Sequence, residues 1–270
     1  MPASCEASPL VPDGELPDTS ERMDMPTKNS IKNGRLLQAA ETPMKIHIGC
    51  GTVTPDGWIN LDGSWNARLA NHSLARSIAK AFRLLPKHVY DVGWSGKVLP
   101  QDLRKPLPFE DASLCAVYGS HVLEHLYLDQ ADRLLKECFR TLRPSGVLRL
   151  VVPDLKWTVS AYLTHETEGQ LIGPTNMPRG DELNQRLLLR ASGAPAGNIL
   201  YKLYNVVTDF HSHKWMYDAE SLGWHMSKAG FVEVRQKELW VSNIPDIKMI
   251  EKEESFEHDG GICVEAVKPT

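Results

Sequence analysis

The segment 45–51 constrains the fold of this chain more than any other, because a short apolar strand there leads directly into a tight glycine turn. Its sequence is Lys-Ile-His-Ile-Gly-Cys-Gly. Glycine is favoured where the backbone turns with a positive φ or approaches a ligand closely, since it has no Cβ. Gly49 and Gly51 therefore indicate a ligand-binding turn at the end of a strand.

A second strand ends on an acid shortly after this turn. Residues 58–62 read Trp-Ile-Asn-Leu-Asp, and Asp62 follows Gly51 by eleven positions. A carboxylate in that place can accept hydrogen bonds from both hydroxyls of a ribose. Thr54 stands where a dinucleotide fingerprint has its third glycine, and no Gly-Lys-Ser/Thr of a P-loop follows. The pattern predicts a nucleoside-type cofactor site and disfavours NAD, FAD and P-loop nucleotides.

Strands and helices alternate from residue 44 onwards, which predicts an α/β fold with a doubly wound, mostly parallel sheet. The last two strands have no long helix between them, so they predict an antiparallel hairpin at one edge of the sheet. Apolar runs predict strands at 45–49, 58–62, 97–103, 114–119, 147–152, 231–239 and 262–268. Helical spacing predicts helices at 66–85, 121–128, 130–142 (capped by Asp129), 182–191, 199–207 and 218–229.

Composition narrows the class of protein. A net charge of -4 over 270 residues argues against a dedicated nucleic-acid binder, although it leaves room for a local basic patch. The five cysteines show no Cys-x-x-Cys pairing, which predicts reduced thiols and a cytoplasmic location. No apolar run reaches the roughly 18 residues that a membrane span needs. We therefore expect no membrane span, and the sequence does not indicate an oligomeric state.

Residues 1–43 differ from the rest of the chain. They are rich in Pro, Ser, Asp, Glu and Lys and have no sustained apolar period. Such a composition predicts a disordered or loosely docked leader. Residues 44–270 are predicted to form one domain.

Several motifs in the same order resemble the class I S-adenosylmethionine-dependent methyltransferases, over residues 44–154 and more weakly over 214–268. His-Ile-Gly-Cys-Gly-Thr stands where that family has its first motif, and Asp62 where it has its ribose-binding acid. The Gly-Trp-Ile-Asn-Leu-Asp form resembles a bacterial subgroup of largely unassigned substrate. Further matches follow in order at Asp102-Leu103 with 107–111, at 120–126, and at 135–137 with 143–146.

The resemblance implies a Rossmann-like fold, S-adenosylmethionine as cofactor and a set of residues around it. The positive sulfonium would face backbone carbonyls near Gly119 and Ser120. The implied cofactor-binding residues are Gly49, Cys50, Gly51, Asp62, Asp102, Leu103, Gly119, Ser120 and His121. The chain departs from the family pattern at three positions, which are His47, Val53 and Cys115.

A candidate for catalysis follows the predicted fourth strand. Transfer to a hydroxyl needs a base, and histidine is the favoured type near neutral pH. His121 begins the segment next to the expected cofactor pocket, so it is the candidate for that role and for contact with the cofactor or acceptor. Glu124 and His125 have structural roles in this interpretation.

The same residues spell a zinc motif. His121-Val-Leu-Glu-His125 matches the H-x-x-E-H of inverted metallopeptidases, with the Glu as base. Its position directly after a sheet strand disfavours a peptidase, and we expect no metal.

The acceptor side of the site is predicted beyond the fifth strand. The irregular stretch 155–213 is the expected substrate cap, and His211 and His213 are candidate substrate-binding residues. We expect a small molecule or a glycan precursor as methyl acceptor, with nucleic acid disfavoured. The alternatives are a non-catalytic binding module on the same fold and, more remotely, the zinc peptidase.

Overall fold

The computed structural model describes residues 31–32, 35–36, 44–64, 67–68, 77, 97–164, 179–187, 212–257 and 260–270. Two strands of two residues each, Ile31–Lys32 and Arg35–Leu36, form a small antiparallel pair. The predicted helix at 199–207 lies outside the described residues, as does most of the helix at 66–85 and of the leader. The leader and the domain boundary at residue 44 remain predictions.

A mixed sheet of seven strands forms the centre of the molecule, in the order β3-β2-β1-β4-β5-β7-β6. The strands β1 to β5 run parallel, and β7 lies antiparallel to both of its neighbours. This confirms the predicted Rossmann-like, doubly wound sheet with an antiparallel edge hairpin. The strands are β1 Met44–Ile48, β2 Ile59–Asp62, β3 Val98–Pro100, β4 Leu114–Ser120, β5 Leu142–Val152, β6 Val232–Lys237 and β7 Ile262–Val267.

Helices follow the strands and cover the sheet. They are α1 Leu128–Thr141, α2 Leu155–Thr164, α3 Arg179–Arg186, α4 Ala219–Lys228 and α5 Glu254–Glu257. Two single turns of 3-10 helix lie at Leu123–His125 and Ile247–Met249. Among the described residues, no helix combines the length and the apolar character that crossing a bilayer requires.

The core fills both faces of the sheet. On one face, the predicted apolar stripe of α1 is buried together with residues of α4. On the other face, the segment 244–250 packs against Trp58 and Tyr118. The strands β4 and β5 are buried on both faces along most of their length, as central strands of a parallel sheet are.

Several boundaries differ from the sequence prediction, and three of these differences lie at α1, in the segment after β4 and at β5. Helix α1 begins at Leu128 rather than after Asp129, because the Gln130 side chain accepts the backbone N–H of Tyr127 at 3.2 Å. Asp129 lies in the first turn instead and pairs with Arg133 at 2.8 Å. The predicted helix 121–128 is reduced to the turn Leu123–His125, since the backbone enters it through a left-handed residue. Strand β5 begins at Leu142 rather than at residue 147.

A buried arginine fixes the segment 238–251 against the sheet. Arg149 of β5 is fully buried and donates to both carboxylate oxygens of Glu251, at 2.8 and 2.7 Å. It also reaches Glu265 of β7 at 3.3 Å. Breaking a buried ion pair from one side leaves an uncompensated charge, which costs about 3–5 kcal/mol. This pair therefore holds the chain that leads into α5, close to the carboxyl end of β4.

His47 on β1 is a packing residue in this structure. Its side chain is 3% exposed, and its ring lies 5.3 Å from that of Tyr118. Burial lowers the pKa of His47 from 6.5 to about 4, so the imidazole is neutral in the folded chain at neutral pH. The departure of His47 from the family pattern thus has a structural explanation, since the residue is part of the core beneath the glycine turn.

Acidification should reveal this buried histidine. Between the ordinary pKa of 6.5 and the folded value of about 4, the unfolded chain binds a proton at His47 and the folded chain does not. The free energy of unfolding should therefore decrease as the pH is lowered through this window. The decrease should be steeper in the wild type than in His47→Gln, by up to about 1.4 kcal/mol per pH unit. Urea unfolding at a series of pH values measures the difference. Equal slopes in the two proteins would contradict the assignment.

Candidate functional site

A cleft opens at the carboxyl ends of β1 to β4, where the strand order reverses between β1 and β4. Ligands bind at such switch points in open α/β sheets because the connections on the two sides diverge there. The cleft has a volume of about 180 Å³. Its lining residues are Gly49, Asp62, Gly63, Ser64, Asp102, Leu103, Arg104, His121, Val122, His125 and Leu126.

The glycine turn forms the floor of the cleft. Gly49 and Gly51 have φ values of 62° and 54°, which are strained for residues with a Cβ. A Cβ on Gly49 would lie 2.2 Å from Cγ2 of Val122, so this glycine lets the loop after β4 pack onto the turn. A Cβ on Gly51 would meet nothing within 4 Å. The space beside the Gly51 backbone is therefore open, although the lining of the cleft includes Gly49 and not Gly51.

Asp62 links the turn after β1 to the loop after β2. Its Oδ2 accepts the backbone N–H of Gly51 at 3.0 Å, and its Oδ1 accepts that of Ser64 at 2.8 Å. The residue is 9% exposed and lines the cleft. Because a carboxylate has about four acceptor positions, each oxygen keeps a lone pair for a ligand.

Asp102 is already engaged by a neighbouring cation. Arg104 donates to its two oxygens from Nε at 2.9 Å and from Nη2 at 3.0 Å. The hydrogen bonds from Arg104 lower the pKa of the Asp102 carboxyl below its ordinary value. Asp102 and Leu103, which the sequence predicts as cofactor-binding residues, line the cleft, and so does Arg104, which was not predicted. The signal in the sequence for this pair is the basic residue Arg104 two positions after the acid Asp102.

Four of the predicted cofactor residues lie beside or behind the described cleft lining. Cys50 and Gly51 belong to the turn itself, and the Cys50 side chain is buried. Gly119 lies inside the sheet, where a Cβ would approach Cγ1 of Ile48 to 2.8 Å. Ser120 ends β4 just before the cleft. Four further lining residues were not predicted, because they have no chemical signature of their own and reach the cleft through the conformation of the loops. They are Gly63, Ser64, Val122 and Leu126.

His121 enters the cleft on a left-handed backbone. Its φ is 53°, and its N–H donates to the carbonyl of Val151 at 3.0 Å, which ties the loop to β5. The ring nitrogen Nε2 lies 2.9 Å from the carbonyl oxygen of Ser255, and Nδ1 lies 3.3 Å from Oε1 of Glu124. Both ring nitrogens therefore face protein oxygens rather than the centre of the cleft.

Further side chains gather beside His121. Glu124 is fully buried, and the ring of His125 lies 5.1 Å from that of His213. The candidate His213 is thus brought next to the cleft wall, whereas His211 lies outside the described residues. The H-x-x-E-H motif does not form the helical turn that a peptidase uses, because its first residue is left-handed and the helix covers Leu123–His125 alone.

Comparison with known proteins agrees with this geometry. Residues 46–150 match the model of a family described as a methyltransferase domain. No curated protein matches the chain. The matched segment contains β2 to β4, most of β1 and of β5, and every lining residue of the cleft.

Solved structures of similar fold have low sequence identity to this chain. One is a Haloferax volcanii methyltransferase in complex with the Trm112 activator, at 14% identity and a TM-score of 0.41, covering 84% of this chain and 83% of that chain. Another is an S-adenosylmethionine-dependent methyltransferase from Thermotoga maritima, at 17% identity and a TM-score of 0.39, covering 85% and 84%. A third comes from Archaeoglobus fulgidus, at 14% identity and a TM-score of 0.39, covering 84% and 86%.

These structural likenesses are weak, and the assignment rests on the family model together with the strand order. The matched segment includes the glycine turn and Asp62, which lie at the switch point of the strand order. Residues 46–150 therefore carry a methyltransferase domain.

Proposed function

We propose that this enzyme methylates a small molecule or a glycan precursor, with S-adenosylmethionine bound in the cleft at the ends of β1 to β4. The observation that carries the proposal is the position of Asp62. Its carboxylate lines the cleft at the end of β2 and is held by the N–H groups of Gly51 and Ser64.

The residues of the cleft fit this cofactor. The lone pairs that Asp62 retains suit the two hydroxyls of a ribose. The open space at Gly51 allows a ligand to approach the backbone closely. Leu103 and Leu126 supply apolar surface to the cleft. When bound, the cofactor supplies an electrophilic methyl group on a positively charged sulfur.

The contribution of the chain is mainly to hold the reactants in place. In-line transfer to an acceptor atom depends on distance and alignment, and fixed orientation can account for much of the acceleration. The cleft walls are well suited to this role, because Asp62 locks one side and the bond from His121 N–H to Val151 locks the other.

His121 is proposed to position the reactants. A carbonyl can accept but cannot donate, so the contact with Ser255 assigns the proton to Nε2. The remaining nitrogen, Nδ1, faces Glu124 at 3.3 Å. For His121 to act as a general base, its Nδ1 would have to move away from Glu124.

The charge around the cleft supports a small acceptor. Arg104 is the single Lys or Arg among its described lining residues, and it is paired with Asp102. A nucleic-acid site would need several cations to neutralise phosphates. The net charge of -4 agrees with this choice.

The other parts of the chain have proposed roles that follow from the sequence. We propose 155–213 as the substrate cap, of which α2 and α3 are described, with His211 and His213 near the acceptor. The contact of His213 with His125, which lines the cleft, supports that placement. We also propose a cytoplasmic location, supported by the free thiols of Cys50, Cys115, Cys138 and Cys263.

Replacing Asp62 by Asn should weaken cofactor binding about 10- to 100-fold. A hydrogen bond to a charged group contributes about 1.5–3 kcal/mol, and the variant loses that charge. Calorimetric titration with S-adenosylmethionine measures the effect. The matched control is Asp56→Asn, which removes an acid whose side chain is 84% exposed and pairs with Lys97 outside the cleft. Folded Asp62→Asn binding as tightly as the control would contradict the proposed site.

Replacing His121 by Gln should lower kcat by less than about tenfold, with the larger effect on KM. Loss of a general base would instead lower kcat by about 10²–10⁴-fold. Steady-state kinetics on the methyl acceptor, once it is identified, separate the two outcomes. A fall in kcat of the larger size at unchanged KM would assign the base role to His121.

A methyl-transfer screen should identify the acceptor class. The enzyme is incubated with methyl-labelled cofactor and with pools of metabolites, glycans and RNA. Label is expected in the metabolite or glycan fraction, and Asp62→Asn should reduce it because cofactor binding is weakened. Transfer into RNA alone would contradict the proposed acceptor class.

A further inference from the structure

A partly buried group of side chains of metal-binding types lies at the wall of the cleft, where His125 lines it. One ligand atom from each of Glu124, His125 and His213 lies within 4.8 Å of the other two. Glu124 and His125 belong to the 3-10 turn after β4, whereas His213 comes from a distant part of the chain. The fold thus brings together residue types that the sequence places far apart.

The backbone holds this group in place. The carbonyl oxygen of Glu124 accepts the N–H of Lys214 at 2.7 Å and that of Trp215 at 3.3 Å. These two bonds fix the segment next to His213 against the turn that contains Glu124 and His125. The arrangement is therefore built by main-chain contacts and does not depend on the side chains alone.

The imidazoles direct their lone pairs towards the carboxylate. His125 Nδ1 lies 3.4 Å from the carbonyl oxygen of Ser212, and His121 Nε2 lies 2.9 Å from that of Ser255. Because a carbonyl oxygen only accepts, those nitrogens carry a proton, and in the neutral imidazole the opposite nitrogen carries the lone pair. The opposite nitrogens face Glu124 Oε1, at 3.9 Å from His125 Nε2 and 3.3 Å from His121 Nδ1. In the neutral tautomers, acceptor atoms of both rings therefore face the Glu124 carboxylate.

Glu124 itself requires a positive partner. Its side chain is fully buried, and neither carboxylate oxygen accepts a hydrogen bond from a described donor. A buried carboxylate without hydrogen bonds is costly unless a cation compensates it. No Lys or Arg among the described residues makes a salt bridge with Glu124. Together with the converging lone pairs, this points to a bound cation.

We propose that Glu124, His125 and His213 bind a divalent transition-metal ion of the Zn²⁺ type at the wall of the cleft. Two imidazoles and one carboxylate form a common ligand set for zinc. Ligand atoms around a tetrahedral zinc lie about 3.3–3.5 Å apart, so the separations of up to 4.8 Å seen here need to shorten by up to about 1.5 Å. The carbonyl contact of His125 is the outer support that zinc-bound histidines usually have.

This site differs from the metallopeptidase motif and from the expectation of no metal. Glu124 acts as a ligand rather than as a base, and the second histidine ligand is His213 rather than His121. Three protein ligands leave a fourth position for water or for an oxygen of the acceptor. Binding of the acceptor there rests on the proposed methyl transfer, whereas binding of the metal does not.

Among the described residues, no cysteine belongs to a cluster of three or more possible metal ligands. Burial raises the pKa of both the Cys50 and the Cys138 thiols to about 12, so they remain protonated near neutral pH. A thiol must lose its proton to bind zinc.

Calorimetric titration of the full chain with Zn²⁺, after treatment with a chelator and without S-adenosylmethionine, tests the site. The wild type should bind one equivalent with micromolar or tighter affinity. Glu124→Gln and His213→Gln should each weaken binding by about 100-fold or more, since even outer-shell changes cost 10–100-fold. Zinc should also raise the Tm of the wild type and not that of Glu124→Gln. Circular dichroism checks that each variant is folded.

The matched control is His225→Gln. His225 is also buried and also faces a carboxylate, Asp132, at 2.6 Å, but it lies outside the cluster. Zinc binding should survive this change. The proposal is overturned if the wild type binds no equivalent of zinc, if folded His213→Gln binds as the wild type does, or if His225→Gln loses as much affinity. Asp62→Asn should lose cofactor affinity and keep zinc, which separates failure of the metal site from failure of the proposed function.

Discussion

The pair of hydrogen bonds that Asp62 accepts from Gly51 and Ser64 is the constraint on which the site depends. It joins the loops that follow two adjacent parallel strands, so the glycine turn and the acid cannot move independently. One carboxylate thus shapes the turn and still offers lone pairs to a ligand. Preorganisation of this kind means that a ligand meets groups whose ordering has already occurred on folding.

The opposite wall depends on the absence of a side chain. Val122 packs where a Cβ of Gly49 would lie, and this close approach brings the loop after β4 onto the turn after β1. His121 then leaves β4 in a left-handed conformation and reaches the carbonyl of Ser255. The buried pair of Arg149 and Glu251 holds the chain that carries Ser255. A core interaction on one side of the sheet therefore supports the position of a side chain in the cleft.

The sequence predicts the framework well where the signal is local. The strand, the glycine turn and the acid at Asp62 form a pattern within eighteen residues, and the apolar stripe of α1 follows one helical period. The class of fold and the floor of the cleft follow from these patterns.

The features that the sequence did not predict depend on contacts between distant segments or on unusual backbone conformations. The pairing of Arg104 with Asp102 is local, but nothing in the sequence distinguishes it from a solvated charge pair. The meeting of His213 with His125 joins residues far apart in the chain through main-chain bonds to Glu124. The left-handed backbone of His121 prevents a helix from starting at residue 121, where one was predicted. The periodicity of side chains carries no information about such a φ.

We propose that Asp62 receives the ribose of S-adenosylmethionine at the switch point of the sheet. A crystal structure of the chain with S-adenosylhomocysteine tests this proposal. Both ribose hydroxyls should lie within about 3 Å of the Asp62 carboxylate oxygens, the usual length of such bonds, with the glycine turn beneath the ligand. A ligand bound elsewhere, or a ribose turned away from Asp62, would contradict it.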